Sequence, residues 1–266
     1  MTDKIRVAVA GAAGRMGREV VRMVLGDREL ELVAAIGGTA APDAGVAAGA
    51  EPCGVPIETD LEAALARSGA DVLIDFTKPQ LAVKHTRTAI LQRVRPVIGT
   101  TGFTPGDIAE LDKLCREQAI GGVIAPNFSI GAILMMKFAA EAAKYFPHVE
   151  IIEYHGDQKL DAPSGTSIRT AEMIAANRRE FRQGHPDEEE RIDGSRGGMF
   201  QGFRIHSVRL PGIFAQQEVI FGAFGQTLKI RHDSYDRAGY MPGVNLAVKR
   251  VMGLTGIVYG FEHLLD

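Results

Sequence analysis

The apolar positions of this chain fall into two rhythms. Between Ile5 and about Ala125, short runs rich in Val and Ile (Ile5 to Ala10, Leu32 to Ile36, Val72 to Phe76, Val94 to Ile98, Val123 to Ala125) alternate with segments of helical length. Short continuous apolar runs bounded by turn residues predict strands buried on both faces of a parallel sheet. The segments between them, Arg15 to Leu25, Leu61 to Arg67, Gln80 to Gln92 and Gly106 to Gln118, predict helices. The last of these has a start signal in Thr104 as N-cap, Pro105 at the first helical position and Asp107 facing the helix dipole. Such alternation implies an α/β fold with a Rossmann-type doubly wound parallel sheet.

After Ile130 the texture changes. Ala132 to Tyr145 predicts a helix with few polar residues, and Val149 to Glu153, Phe203 to Arg209, Gln217 to Phe221 and Thr227 to His232 predict longer strands. Phe224-Gly225 stands where a hairpin turn is needed between the last two. Strands in succession imply a second, α+β domain with a mixed, largely antiparallel sheet. Asn177 to Gly198, crowded with Arg, Glu, Asp and Gly, predicts a solvated helix end and mobile loop rather than an interaction patch. Pro242 to Leu265 is apolar, helical in pattern and too short for a domain, so it is expected to pack back on the first. The expected division is residues 1–129 with 240–266, and residues 130–239.

Composition narrows the classes. The 266 residues suffice for two modest cores, and 45% hydrophobic with 24% charged residues is the balance of a globular protein. A net charge of -3 from interspersed acids and bases offers no field for nucleic acid or an anionic membrane. Cys53 and Cys115 stand apart with no Cys-x-x-Cys or Cys/His cluster, which argues against a disulfide framework or a structural metal. No apolar run approaches the roughly 18 residues of a membrane span, and Lys4 leads directly into a strand, so a cytoplasmic, unprocessed protein is expected.

Gly11-Ala12-Ala13-Gly14-Arg15-Met16-Gly17 follows the first strand and opens the first helix. In that context the glycines suit a dinucleotide: Gly11 for the tight turn, Gly14 for approach of backbone N–H groups to a pyrophosphate, Gly17 for close helix packing. A glycine turn without a ligand is the less favoured reading. The acidic residue expected about 20 positions on, to bind the ribose hydroxyls, is replaced by Gly37-Gly38. A 2′-phosphate is then tolerated, with Arg15 available to pair with it, and weak discrimination between NADH and NADPH is expected. Three further loops follow predicted strands at the same sheet edge: Phe76 and Thr77; Gly99, Thr100 and Thr101; and Ala125, Pro126, Asn127 and Phe128. Ligands of open parallel sheets bind at that edge, so these are candidate cofactor contacts, with plain turn residues the alternative at each.

The strand from Val149 runs into His155-Gly156-Asp157-Gln158-Lys159-Leu160-Asp161-Ala162-Pro163-Ser164-Gly165-Thr166. Ser164 reads as the N-cap of a helix continuing to Ala176, which places the amides of Gly165 and Thr166 at a positive helix end near Lys159, a combination suited to a carboxylate. His155 is the histidine beside this site and the candidate acid. Taken alone it is more often a structural histidine, and Lys159 alone a surface lysine. His206 and His232 compete for the acid role, although each sits on a predicted strand.

The whole run changes those odds. A histidine four residues before Lys-x-Asp-Ala-Pro-Ser-Gly-Thr resembles the signature of the 4-hydroxy-tetrahydrodipicolinate reductase (dihydrodipicolinate reductase) family. The resemblance takes in Gly11 to Gly17, Asp75-Phe76-Thr77, Gly99 to Gly102, Ala125 to Gly131, Arg204 to Arg209 and Pro242-Gly243-Val244. It implies a proton donor at His155, an assisting lysine at Lys159 and carboxylate contacts at Gly165 and Thr166. It also implies cofactor contacts at Gly11 to Met16, Gly99 to Thr101 and Ala125 to Phe128, and a homotetramer joined through the second domain. Residues 1–129 are then the dinucleotide-binding domain, and residues 130–239 the substrate-binding and oligomerisation domain. One departure is Gly156, where the family usually has a second histidine contacting substrate; its loss is expected to loosen binding by about 1 kcal/mol or more. The other is the missing acid at Gly37 and Gly38. The alternatives are another two-domain Rossmann reductase of an amino-acid or aldehyde substrate, and a non-catalytic dinucleotide sensor.

Overall fold

The computed structural model describes residues 4–265, and the chain divides into two compact units, Met1–Ser129 with Tyr240–Asp266, and Ile130–Gly239. The first unit begins β1 (Ile5–Ala10), α1 (Arg15–Gly26), β2 (Leu30–Ile36), α2 (Ala44–Ala47), β3 (Ile57–Glu58), α3 (Leu61–Ser68) and β4 (Val72–Asp75). It continues with α4 (Pro79–Leu91), β5 (Arg95–Ile98), α5 (Pro105–Glu117) and β6 (Gly121–Ile124). All four residues of β4 and of β6 are buried, as befits strands covered on both faces. Local chemistry sets the helix ends. Thr104 Oγ1 accepts from Asp107 N at 3.1 Å while Asp107 Oδ2 accepts from Thr104 N at 2.8 Å, a reciprocal capping box that starts α5. Asp60 caps α3 through Ala63 N, and Gly69, at φ 58°, ends it in the left-handed region.

The second unit holds α6 (Ile130–Ala142), β7 (His148–His155), α7 (Gly165–Ala175), β8 (Gly198–Phe200), β9 (Phe203–Arg209), β10 (Ala215–Ala223) and β11 (Gln226–Ser234). Its sheet runs β11-β10-β7-β9-β8, antiparallel except for the β7–β9 pair. That parallel pair is joined by a crossover through α7, and the β10–β11 hairpin turns on Phe224-Gly225 with Gly225 at φ 73°. The charged stretch from Asn177 to Gly198 is tethered: Arg196 pairs with Glu150 at 2.7 Å, and the Gln183 side chain bonds both the N–H and the C=O of Val149.

The chain then returns to the first unit through a 3-10 turn at Arg237–Tyr240, α8 (Met241–Val251), β12 (Gly256–Tyr259) and a 3-10 turn at Phe261–Leu264. The helical expectation for Pro242 to Leu265 therefore holds only to Val251. Beyond it Gly256, at φ 83°, turns the backbone into a strand whose Ile257 N–H donates to Asp112 Oδ1 at 2.7 Å. β12 pairs with β6 and completes an all-parallel sheet in the order β12-β6-β5-β4-β1-β2-β3. The order reverses between β1 and β4, so the turns after these strands face the crevice in which doubly wound sheets bind ligands.

Candidate active site

In the first unit, Gly11 stands at that reversal with φ 82°, and a Cβ there would lie 2.8 Å from the Phe76 carbonyl oxygen. A Cβ on Gly17 would lie 1.9 Å from the carbonyl oxygen of Gly11, so α1 rests directly on the turn. The amides of Gly11 and Ala12 are held by the Ile36 carbonyl at 2.8 and 2.9 Å, and that of Gly14 by Gly11 O at 2.8 Å. Gly14 caps α1 with no side-chain hydrogen bond, and the N–H groups of Arg15, Met16 and Gly17 have no acceptor one helical turn back. An uncapped helix end cradled in glycine fits a pyrophosphate. Along the turn, Ala12 is buried and Ala13 half-buried, whereas Gly14 and Arg15 are exposed.

Asp75, at the end of β4, ties the neighbouring loops together. Its fully buried carboxylate accepts from Thr77 N at 2.8 Å, Thr77 Oγ1 at 2.7 Å and Thr100 Oγ1 at 3.2 Å, and meets His85 Nδ1 at 2.7 Å. Gly99 leaves room for the Phe76 ring, which would otherwise lie 2.0 Å from a Cβ. Phe128 is buried between Phe76 and Phe261, with ring centroids 5.8 and 5.6 Å apart, so its side chain is packing. Thr101 and Pro126 are exposed, Asn127 is half-buried, and Ala125 is buried. A cavity of about 600 Å³ adjoins the turn, lined among others by Gly11, Gly37, Gly38, Thr77, Lys84 and His85.

The second unit builds its site through strand register. On the buried face of its sheet the cross-strand rows Leu228-Phe221-Val149 and Ile230-Val219-Ile151-Ile205 are apolar. The next row is His232-Gln217-Glu153-Ser207, and the last is Ser234-Ala215-His155-Arg209. Polar chemistry is thus concentrated at the His155 end of a sheet whose other end is hydrophobic core. Glu153 is fully buried; its Oε2 meets His155 Nδ1 and its Oε1 accepts from Arg209 Nη2 at 2.7 Å. Burial pushes the Glu153 carboxyl up, but hydrogen bonds from His155, Arg209 and Ser207 outweigh it and hold the group at about 2, so it is anionic at neutral pH.

Ser164 Oγ accepts from Ser167 N at 3.2 Å and starts α7. From there a buried chain of side chains anchors the helix: Ser167 Oγ donates to Gln217 Oε1 at 2.6 Å, Gln217 Nε2 to Thr170 Oγ1 at 2.8 Å, and Thr170 Oγ1 to the Thr166 carbonyl at 2.8 Å. The first turn of α7, with Gly165 exposed and Thr166 half-buried, is thereby fixed to β10 beside Glu153. Lys159 Nζ donates to Asp161 Oδ1 at 2.6 Å, and this bond first of all holds the Asp161 carboxyl below its ordinary range. Arg209 Nη2 also donates to the Asp161 carbonyl at 2.9 Å, joining the Lys159 loop to the sheet. His206 lies on the opposite face against Glu150 at 2.8 Å, while His232 lies against Gly131, where a Cβ would be 2.4 Å away. Gln217→Leu is expected to strip the Ser167 and Thr170 hydroxyls of a partner and cost about 1–3 kcal/mol in urea denaturation, with KM raised more than kcat is lowered.

Glu153 and Gln217 were not singled out from the sequence, and Asp75, Ser207 and Arg209 entered only within stretches of family resemblance, with no role attached. The signal available for Glu153 and Gln217 was a charged or amide residue on the buried side of an otherwise apolar alternation. Among the described residues, no helix is long and apolar enough to cross a membrane, and no group of three or more His, Cys, Asp or Glu is placed to hold a metal.

Comparison with known proteins adds a family. Residues 5–128 match the family model for the N-terminus of dihydrodipicolinate reductase, and residues 131–265 the model for its C-terminus. The 4-hydroxy-tetrahydrodipicolinate reductase of Geobacillus kaustophilus (strain HTA426) is 54% identical over 267 residues, covering 98% of this chain and 99% of its own. That of Streptococcus thermophilus (strain CNRZ 1066) is 55% identical over 261 residues, covering 98% and 99%. A dipicolinate-bound dihydrodipicolinate reductase from Paenisporosarcina sp. TG-14 superimposes with a TM-score of 0.89 at 46% identity, covering 98% of this chain and 99% of that one. An amine dehydrogenase from Mycobacterium smegmatis, at 16% identity and TM-score 0.70, shares the fold alone. With both halves of one family matched in order and relatives this similar along their whole length, the chain belongs to the dihydrodipicolinate reductase family.

Proposed function

We propose that this chain, an NAD(P)H-dependent oxidoreductase, reduces 4-hydroxy-tetrahydrodipicolinate to tetrahydrodipicolinate in the diaminopimelate route to lysine. The observation that carries the reading is the joint placement of His155, Lys159 and the α7 N-terminus at the polar end of the second sheet. The dinucleotide, when bound, supplies the hydride. The residues that would hold it are Gly11 to Met16, Phe76 and Thr77, Gly99 to Thr101, and Ala125 to Phe128. Lys159 and the amides of Gly165 and Thr166 take a substrate carboxylate and offset negative charge as it develops. His155, in its protonated form, gives a proton to the carbon or nitrogen left electron-rich by reduction. Gly156 takes the place of a second polar contact and leaves His155 and Lys159 in position.

The reading is tested by following NADPH oxidation with freshly generated substrate. A dinucleotide sensor binds NADPH without turnover, and a reductase of another substrate class ignores this one, so either result rejects it. Assembly as a homotetramer in the cytoplasm goes with the proposal; on the sheet face opposite Glu153, Ile152, Tyr154 and Ile220 are only partly covered within the chain.

Cofactor choice follows from the cavity beside Gly37 and Gly38. Its walls carry Lys84 and also Asp60 and Glu62, charges of both signs, and no carboxylate occupies the position after β2. The ratio of dissociation constants for NADH and NADPH is therefore expected to stay below about 100, or about 2.7 kcal/mol. A larger preference in either direction, measured by titration, contradicts this account of the cavity.

A further inference from the structure

We infer that Glu153 is a positioning residue for the reaction, holding His155 by Nδ1 so that Nε2 is the nitrogen that delivers the proton. The inference rests on the acid role proposed for His155 and deepens it.

Three observations carry it. First, Glu153 is wholly buried in mid-sheet, in a row flanked by Gln217 and Ser207, where an isolated carboxylate would be very costly. Second, its two oxygens are divided between two partners: Oε2 faces His155 Nδ1, while Oε1 takes Arg209 Nη2 at 2.7 Å. Arg209 stands across from His155 in the parallel register of β7 and β9, so one carboxylate bridges these two neighbours in the final row. Third, Arg209 carries the connection onward to the Asp161 carbonyl at 2.9 Å, and Asp161 holds Lys159 at 2.6 Å. The carboxylate is thus the common anchor of His155 and of the loop that presents the lysine.

A permanently ionised acceptor at Nδ1 requires a proton on that nitrogen whether the ring is charged or neutral. The proton that comes and goes is then the one on Nε2. The carboxylate also fixes the plane of the ring. Arg209 and Ser207 keep the carboxylate from needing that proton itself. The His155 side chain keeps 18% of its surface exposed, whereas Glu153 is sealed, so only the histidine can meet substrate.

The test compares wild-type protein with Glu153→Gln, His155→Gln and the double variant, measuring kcat, KM for substrate and NADPH affinity. Glu153→Gln is expected to lower kcat about 10- to 100-fold, with KM within about threefold and NADPH affinity unchanged. Added to His155→Gln, it should cost less than about twofold more, because the glutamine oxygen still accepts from Arg209 and only the contact to the histidine changes. Unaltered kcat in Glu153→Gln, or a full further loss in the double variant, overturns the inference while leaving His155 as the acid. Wild-type turnover in His155→Gln removes the acid role and the inference together. A measurement on the wild-type protein covers the case in which Glu153→Gln does not fold: nitrogen NMR of His155 above its titration should show the Nδ1–H tautomer, and a dominant Nε2–H tautomer refutes the anchoring.

Discussion

Replacing His155 with alanine is expected to lower kcat by a factor of about 10² to 10⁴, the usual contribution of a positioned proton donor, with NADPH affinity changed less than about threefold. The separation follows from placement: His155 ends β7 in the second unit, whereas the uncapped helix end and the cavity beside it belong to the first. Lys159→Ala should differ in kind, raising KM as well as lowering kcat, because the lysine charge meets the substrate carboxylate in the ground state and the transition state alike. Steady-state kinetics on both variants, with cofactor titration, check the contrast. Turnover unchanged in His155→Ala would take the histidine out of the chemistry.

Gly17→Val should be the most damaging change in the first unit. A Cβ at this position falls 1.9 Å from the Gly11 carbonyl oxygen and 2.9 Å from the Ala12 Cα, both backbone atoms that cannot swing aside. The helix must therefore lift off the turn, and the N–H groups that face an anion move with it. NADPH affinity is expected to fall at least about 100-fold, about 2.7 kcal/mol, with a lower melting temperature. Gly26→Ala is the control: it lies at the far end of the same helix, nothing stands within 4 Å of its added Cβ, and its stability should change by less than about 0.5 kcal/mol. Equal effects in the two variants would show that the loss reflects the helix rather than the turn.

Much of this fold was legible because its signals are local. The buried runs at Ile5 to Ala10 and Val72 to Phe76, and the Thr104 and Ser164 caps, depend on nearby residues, and the elements appear within a residue or two of the expected bounds. β12 was hidden because Gly256 to Tyr259 becomes a strand only through pairing with β6, more than 130 residues away in sequence. β3 and β8, at two and three residues, are too short to show a period. The site was legible in a similar measure. The run from His155 to Thr166 carries its own signature, whereas the partners of His155 come from register: Arg209 and Ser207 reach Glu153 across a parallel strand pair that no local pattern encodes. Ala12 and Phe128 show the opposite limit, since motif reading marks them as contacts while packing buries their side chains.

The central claim is that the segment from His155 to Thr166 receives a cyclic dicarboxylate. Its most direct test is a crystal structure of the protein with NADPH and pyridine-2,6-dicarboxylate. The account predicts one carboxylate within hydrogen-bond distance of the Gly165 and Thr166 amides and of Lys159 Nζ, with His155 Nε2 facing the ring. A dicarboxylate bound elsewhere, with this segment making no contact to it, would contradict the account.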